Sequence, residues 1–199
     1  MQRIKKVLEN EAKAILEIPL TNDFYKACEI IYETVHRQKG KVIVSGVGKS
    51  GQIASIIASS LSSTGTPSVF LHASDAQHGD LGVIQPNDVL LLISNSGETV
   101  EIFKLCKLAK KMSKRIKIVL ITGNHDSKLG QIADVVLLNG NPKEVCPFGL
   151  TPTTSSTTSK VIGDVLVLLM MEKIEFTSED YVKRHHGGQL GKKLRKYSC

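Results

Sequence analysis

Five short runs rich in Val, Ile and Leu, at 41–45, 67–71, 88–93, 117–122 and 135–138, punctuate the chain and are separated by helical or loop segments. Asp88 to Ile93 is the clearest, a continuous apolar run of the kind that forms a strand buried on both faces. Strand and helix alternating in this way predict a parallel sheet with helices on both sides. Ahead of the first strand, apolar positions at helical spacing predict two helices, over roughly 2–17 and 22–38. After the last strand a long helix is expected to start within Pro152 to Ser159 and to carry Val161, Val165, Leu168 and Leu169 into the core. The expected fold is α/β, a three-layer sandwich around a five-stranded parallel sheet. The stretch from Met1 to Ile15 mixes Arg3, Lys5 and Lys6 with Glu9 and Glu11, lacks the apolar centre of a signal peptide, and reads as an exposed helix. Ile4, Leu8, Ala12 and Ile15 give that helix an apolar stripe suited to assembly.

Two of the strands run into loops with chemistry in them. Ser45-Gly46-Val47-Gly48-Lys49-Ser50-Gly51 joins the first strand to a helix. Glycine permits a left-handed backbone and close approach of an anion, while the first N–H groups of the helix point unpaired at whatever sits there. Gly46-x-Gly48-x-x-Gly51 fits the dinucleotide fingerprint, but its acidic partner, due roughly 20 residues on, has only Asp75 as a loose match in a loop. Gly48-Lys49-Ser50 fits the tail of a Walker loop, yet Ile43 stands where that loop needs its first glycine. The second loop, Ser94-Asn95-Ser96-Gly97-Glu98-Thr99, follows the third strand and opens a helix over Val100 to Met112. A helix cap needs one hydroxyl, and this loop supplies three with a glycine. Its place at the C-terminal end of a parallel strand is where open α/β sheets bind ligands. The candidate phosphate-binding set is therefore Ser45, Gly46 and Ser50 with Ser94, Asn95, Ser96 and Thr99. The Ser/Thr-rich stretch 151–159 reads equally well as a helix cap and as further hydroxyls near the ligand.

Composition narrows the classes. A chain of 199 residues, 41% hydrophobic and 23% charged, suits one ordinary globular domain, with no repeat or low-complexity linker. Val161 to Met171 is too short and, with Asp164 inside it, too polar to span a bilayer. A soluble protein with no membrane partner is expected. Cys28, Cys106, Cys146 and Cys199 form no CxxC pair or zinc spacing, so reduced thiols in a cytoplasm are the expectation. The net charge of +7 owes much to Lys192, Lys193, Arg195 and Lys196, read as a solvated tail or subunit contact. No aromatic-rich RNA-binding signature accompanies it, and no nucleic-acid partner is expected.

Four segments carry a family resemblance: Ala76-Gln77-His78-Gly79-Asp80-Leu81-Gly82, the serine loop Ser94 to Thr99, Glu144-Val145-Cys146-Pro147 with Thr151-Pro152-Thr153, and His185-His186-Gly187-Gly188-Gln189-Leu190-Gly191. The chain resembles the sugar isomerase (SIS) domain family over almost its whole length and, within it, the arabinose-5-phosphate isomerase branch. That resemblance implies a flavodoxin-like SIS fold in a single domain, 1–199, with N-terminal helices in 1–38, an α/β core in 39–176 and a C-terminal helix and tail in 177–199. Many members carry a pair of regulatory CBS modules after this domain, and the sequence reaches Cys199 without them. The implied reaction interconverts D-ribulose 5-phosphate and D-arabinose 5-phosphate through an enediol, the entry step toward Kdo in lipopolysaccharide or capsule. The implied assembly is a homotetramer with sites shared between subunits.

An aldose–ketose isomerase must remove a weakly acidic proton beside a carbonyl, hold the enediol charge and return the proton to the next carbon. By resemblance Lys49, His78, Glu101, Glu144 and His185 match the family's functional positions. Lys49 would offset oxyanion or phosphate charge, and the histidines would open the ring or shuttle the proton. Where a proline often follows the tail histidine this chain has His186, so either of the two histidines can fill that role. Both glutamates are base candidates. Glu101 also suits the helix dipole, whereas a pocket would lift the Glu144 carboxyl toward the working pH and make it the stronger candidate. No histidine or cysteine pair has the short helical spacing of a metallohydrolase. Enediol chemistry of this type runs without metal, so no cofactor is expected to be required. The alternatives are an isomerase of another phosphosugar, such as a heptose or hexulose phosphate, and a silent sugar-phosphate sensor that keeps the serine loop without a base.

Overall fold

The structure is a computed structural model that describes residues 1–187. The basic cluster from Lys192 to Lys196, the end of the tail motif and Cys199 lie outside the described residues. Five strands form one all-parallel sheet: β1 Val42–Gly46, β2 Ser68–Phe70, β3 Val89–Ile93, β4 Lys117–Thr122 and β5 Val135–Leu138, in the order β2-β1-β3-β4-β5. Among the described residues six α-helices accompany it: α1 Gln2–Leu16, α2 Asp23–Ile31, α3 Lys49–Ser63, α4 Val100–Met112, α5 Thr154–Lys173 and α6 Ser178–Val182. All five strands fall within a residue or two of the apolar runs, and the central β1 and β3 are buried at every position, which leaves no exposed residue inside them to blur the pattern.

Side-chain alternation divides the sheet between two cores. Val42, Val44, Leu91, Ile93, Val119 and Ile121 face a cluster completed by Ala27 and Ile31 of α2, Ile57 and Leu61 of α3, and Ile162 and Leu166 of α5. Ile43, Leu90, Leu92, Ile118 and Leu120 face the other way, onto Ile102, Leu105 and Ala109 of α4. The sheet is thus the middle of three layers, as the apolar pattern requires.

Two expectations about helices need correction. The second helix is α-helical only to Ile31 and then widens into a π-helical stretch, Tyr32–Arg37, which buries Thr34 and Val35. In α5 the buried face is turned from the expected one. Ile162, Leu166, Val167 and Met170 are buried, Val161, Val165 and Leu169 pack only partly buried at the edge, and Leu168 is 58% exposed. The cause is Gly163, where an added Cβ would stand 2.3 Å from Ile57 Cδ1. Ser155 and Ser159 precede it at four-residue spacing and are also buried. That small-residue face sets how α5 meets α3, and a helix apolar on most sides cannot announce it by periodicity. On α1, Ile4 and Leu8 remain 60% and 64% exposed, while Ala14 is buried. Among the described residues no helix is long and apolar enough to cross a membrane.

Candidate active site

The chain runs from β1 to β2 on one side of the sheet and to β3 on the other, so the loops after β1 and β3 part at the C-terminal edge. Such a switch point opens a crevice. Gly46 still belongs to the sheet, paired with Ile93, and an added Cβ would stand 2.7 Å from the Ser50 backbone. Its role is close strand–helix contact, which leaves no room for the anion approach expected of it from sequence. Gly48 makes the left-handed turn, at φ +59, with open space around it. Ser45 is also corrected: it is fully buried and donates its hydroxyl to the Leu71 carbonyl, tying β1 to the end of β2. Asp75 lies exposed in a short turn, within 3.9 Å of His72.

In the second loop the hydroxyls of Ser94 and Thr99 pair with each other at 2.8 Å, and the Gly97 N–H donates to Ser94 Oγ. Ser96 is exposed, and its Oγ accepts only the Glu98 N–H at 3.2 Å among the described residues. Thus one hydroxyl of the three is turned outward. Asn95 is half-buried, and its Oδ1 accepts from Asn139 Nδ2 at 2.8 Å.

A cavity of about 500 Å³ gathers Ser50, Asn95 and Glu144 with Ser155, Ser156 and Lys143. Of the two roles considered for the Ser/Thr-rich stretch, the cap is not made, since Thr153 precedes α5 without a side-chain capping bond, while Ser155, Ser156 and Ser159 line the cavity. Lys143, Asn139 and Asn141 went unnoticed in the sequence, where the only signal was an Asn-Gly-Asn turn after the fifth apolar run.

Glu144 is the best-held polar group in the site. Its Oε2 accepts the Thr153 N–H at 2.7 Å, the Thr153 hydroxyl at 2.8 Å and the Ser155 N–H at 3.4 Å, and its Oε1 accepts the Ser155 hydroxyl. Burial is the largest single influence and raises the carboxyl, but these bonds together outweigh it and hold Glu144 below the ordinary glutamate value. The expected rise toward the working pH is therefore reversed. This carboxylate is an ionised anchor for the first turn of α5. Thr154 beside it donates to Glu11 at 2.9 Å, so α1 is tied to the same corner.

The remaining site residues lie outside the cavity lining. Lys49 opens α3, exposed, with Nζ 3.4 Å from Gln52 Oε1. His78 ends a short 3-10 turn, Asp75–His78, and is exposed. Glu101 sits half-buried in the first turn of α4 with no hydrogen-bond partner among the described residues. All three follow C-terminal ends of strands and so share the cavity's edge of the sheet. His185 does not. The 20 residues of α5 carry the chain about 30 Å from the cavity. Phe176 then stands where a Cβ on Gly65, beyond the far end of α3, would meet it at 2.9 Å. His185, past α6, stacks on Tyr181 at 3.9 Å with Nδ1 3.0 Å from the Tyr181 carbonyl. Among the described residues no three His, Cys, Asp or Glu side chains gather as a metal site would require.

The loop after Glu144 holds an unusual thiol. Cys146 Sγ accepts the N–H groups of Thr151 at 3.1 Å and Leu150 at 3.2 Å, which stabilise the thiolate and bring the thiol down to about 7. Burial pushes Cys28 and Cys106 up to about 12. Iodoacetamide at pH 7 should therefore alkylate Cys146 well ahead of those two, with the rate still rising through pH 7 as the thiolate forms. Peptide mapping by mass spectrometry reads the order directly, and equal labelling of the three would contradict it.

This arrangement of parallel sheet, switch-point cavity and serine loop belongs to sugar-phosphate domains of the SIS type. Residues 36–169 match the SIS domain, and the chain belongs to that family. The arabinose 5-phosphate isomerase KdsD of Yersinia pestis is 44% identical over 187 residues, 94% of this chain and 55% of that protein. Its counterpart in Escherichia coli K12 is 43% identical over the same shares. This chain thus spans little more than half the length of these relatives. Among solved structures, a candidate phosphosugar isomerase involved in capsule formation from Bacteroides fragilis is 56% identical, with TM-score 0.92, covering 94% of this chain and 97% of that one. A protein of Escherichia coli CFT073 in complex with arabinose 5-phosphate is 38% identical, with TM-score 0.83, covering 89% and 93%.

Proposed function

We propose that the chain is an aldose–ketose isomerase interconverting D-ribulose 5-phosphate and D-arabinose 5-phosphate. The observation that carries this reading is the switch-point cavity that brings Ser50 and Asn95, from the two phosphate-type loops, to the hydroxyl-rich start of α5. Relatives named for that reaction, and a neighbour holding arabinose 5-phosphate, supply the substrate. Phosphate oxygens are met by Ser50, Asn95, the outward hydroxyl of Ser96 and the free amides that open α3 and α4. Lys49 offsets the charge that grows on the substrate oxygen or the phosphate.

Proton transfer goes to Glu101. Both oxygens of Glu144 are occupied by four donors, which weakens it as a base, whereas the Glu101 carboxylate is unspent among the described residues at the same sheet edge. Glu101 takes the proton from C2 of the open aldose, the enediol forms, and the proton returns at C1. His78 opens the ring or carries the proton between oxygens. His185 or His186 reaches a cavity only in a neighbouring subunit, since its own lies a helix length away; this supports a homotetramer with shared sites. We read 1–199 as one cytoplasmic SIS unit that feeds Kdo synthesis for capsule or lipopolysaccharide, and the Bacteroides neighbour favours capsule.

A coupled assay with a phosphosugar panel tests the reaction. Arabinose 5-phosphate is expected from ribulose 5-phosphate, with kcat/KM above that for any heptose or hexulose phosphate. Faster turnover of another phosphosugar, or tight binding with no turnover, would overturn the assignment.

A further inference from the structure

Asn139, just past β5, is completely buried, and all its polar capacity at this corner is spent in one direction. Its Oδ1 accepts the Asn141 N–H at 2.9 Å, and its Nδ2 donates to Ser159 Oγ at 3.2 Å and to Asn95 Oδ1 at 2.8 Å. A backbone N–H can only donate, so the Asn141 contact determines which end of the Asn139 amide is oxygen. Ser159 agrees, since its own hydroxyl hydrogen goes to the Ser155 carbonyl at 2.7 Å and leaves it only the accepting role. The usual exchangeability of the two ends of an amide is thereby removed. With Asn139 so oriented, Asn95 must turn its oxygen inward, and its Nδ2 is left, among the described residues, as an unspent donor on a residue that lines the cavity. The backbone provides the geometry: Gly140 and Asn141 are both left-handed, at φ +82 and +46, which folds the Asn141 amide back over the Asn139 side chain. Gly123 leaves the room, since a Cβ there would stand 3.0 Å from both Asn95 Oδ1 and Asn141 Oδ1.

We propose that Asn139 is a positioning residue: it transmits the polarity of one backbone N–H in the β5 turn to Asn95, and so imposes a hydrogen-bond donor on the cavity wall. The site then selects a ligand that presents an acceptor oxygen there, a phosphate or sugar oxygen. This deepens the reading of the cavity as a phosphosugar site and rests on it.

The test is a double-mutant cycle. Asn139→Asp keeps the shape and the contact with the Asn141 N–H but replaces the inward donor by an acceptor, so Asn95 must reverse its amide and present oxygen to the ligand. KM for ribulose 5-phosphate should rise about tenfold with kcat little changed. Asn95→Ala should raise KM by a similar factor, and in that background Asn139→Asp should add nothing beyond about twofold, because its effect has lost its carrier. A purely structural asparagine would add its full factor in both backgrounds, and that result, or an unchanged KM in Asn139→Asp, overturns the proposal. If Asn139→Asp does not fold, Asn139→Val in the same two backgrounds decides by the same comparison. Wild-type turnover reports the phosphosugar reading separately. Should it be absent, the same cycle is read on calorimetric binding of inorganic phosphate.

Discussion

Glu101→Gln is expected to lower turnover by about 10²–10⁴-fold while KM moves little, because it removes a base and keeps the side chain's volume. Exchange of solvent deuterium into C2 of arabinose 5-phosphate should fall by the same factor, since that exchange needs only removal of the C2 proton and return of a solvent deuteron to the same carbon by the same base, without transfer to C1. The contrast with Glu144→Gln sharpens the result. Glu144 holds the first turn of α5 through Thr153 and Ser155, so its replacement should lower the melting temperature as well as the activity. Glu101 makes no such bonds among the described residues, and its variant should melt with the wild type. Exchange at the normal rate in Glu101→Gln would return the base to Glu144 or to a histidine.

Mixing Lys49→Ala with His185→Ala subunits, each expected to be nearly inactive alone, should restore activity. Lys49 stands at the cavity edge of the sheet and His185 beyond the far end of α5. A site that uses both must draw them from two chains. Random pairing of the two variants gives roughly a quarter of the sites both good residues. If subunit exchange is confirmed by mass and no activity returns, His185 is not a shared group. The exposed Ile4 and Leu8 of α1 offer apolar surface for the assembly this requires. His186 supplies the internal comparison: should His185→Ala retain activity, the same mixing with His186→Ala identifies the acting histidine.

How far the sequence could be read differs from one residue type to another. β1, β3 and β4 were legible because burial on both faces demands runs of Val, Ile and Leu, the edge strands β2 and β5 through shorter and less buried apolar runs, and the helices after the first and third strands followed from periodicity. That Ser50 and Asn95 would meet at one cavity was legible because loops at the C-terminal ends of parallel strands converge, whereas Glu144 was reached only through the family resemblance. The faces of α5 were not. Its apolar residues lie on most sides, and the choice between them was made by Gly163 against Ile57, a contact between residues more than a hundred positions apart. Nor could the fate of each hydroxyl be foreseen. Ser45, Ser94 and Ser96 look alike in sequence, yet the first is spent on Leu71, the second on Thr99, and the third faces outward.

Composition and order along the chain therefore determined the layers, the parallel sheet and the loops that carry the chemistry, since these depend on patterns local to a dozen residues or so. Tertiary structure alone decided which donors and acceptors remain for a ligand. The Glu144 carboxyl is held below the ordinary glutamate value because Thr153 and Ser155 fold back onto it, and the side-chain oxygen of Asn95 is taken by Asn139. A hydrogen bond consumes capacity at both ends, and its partner can stand anywhere in the chain, so the polarity of a binding surface is settled only once every partner is in place.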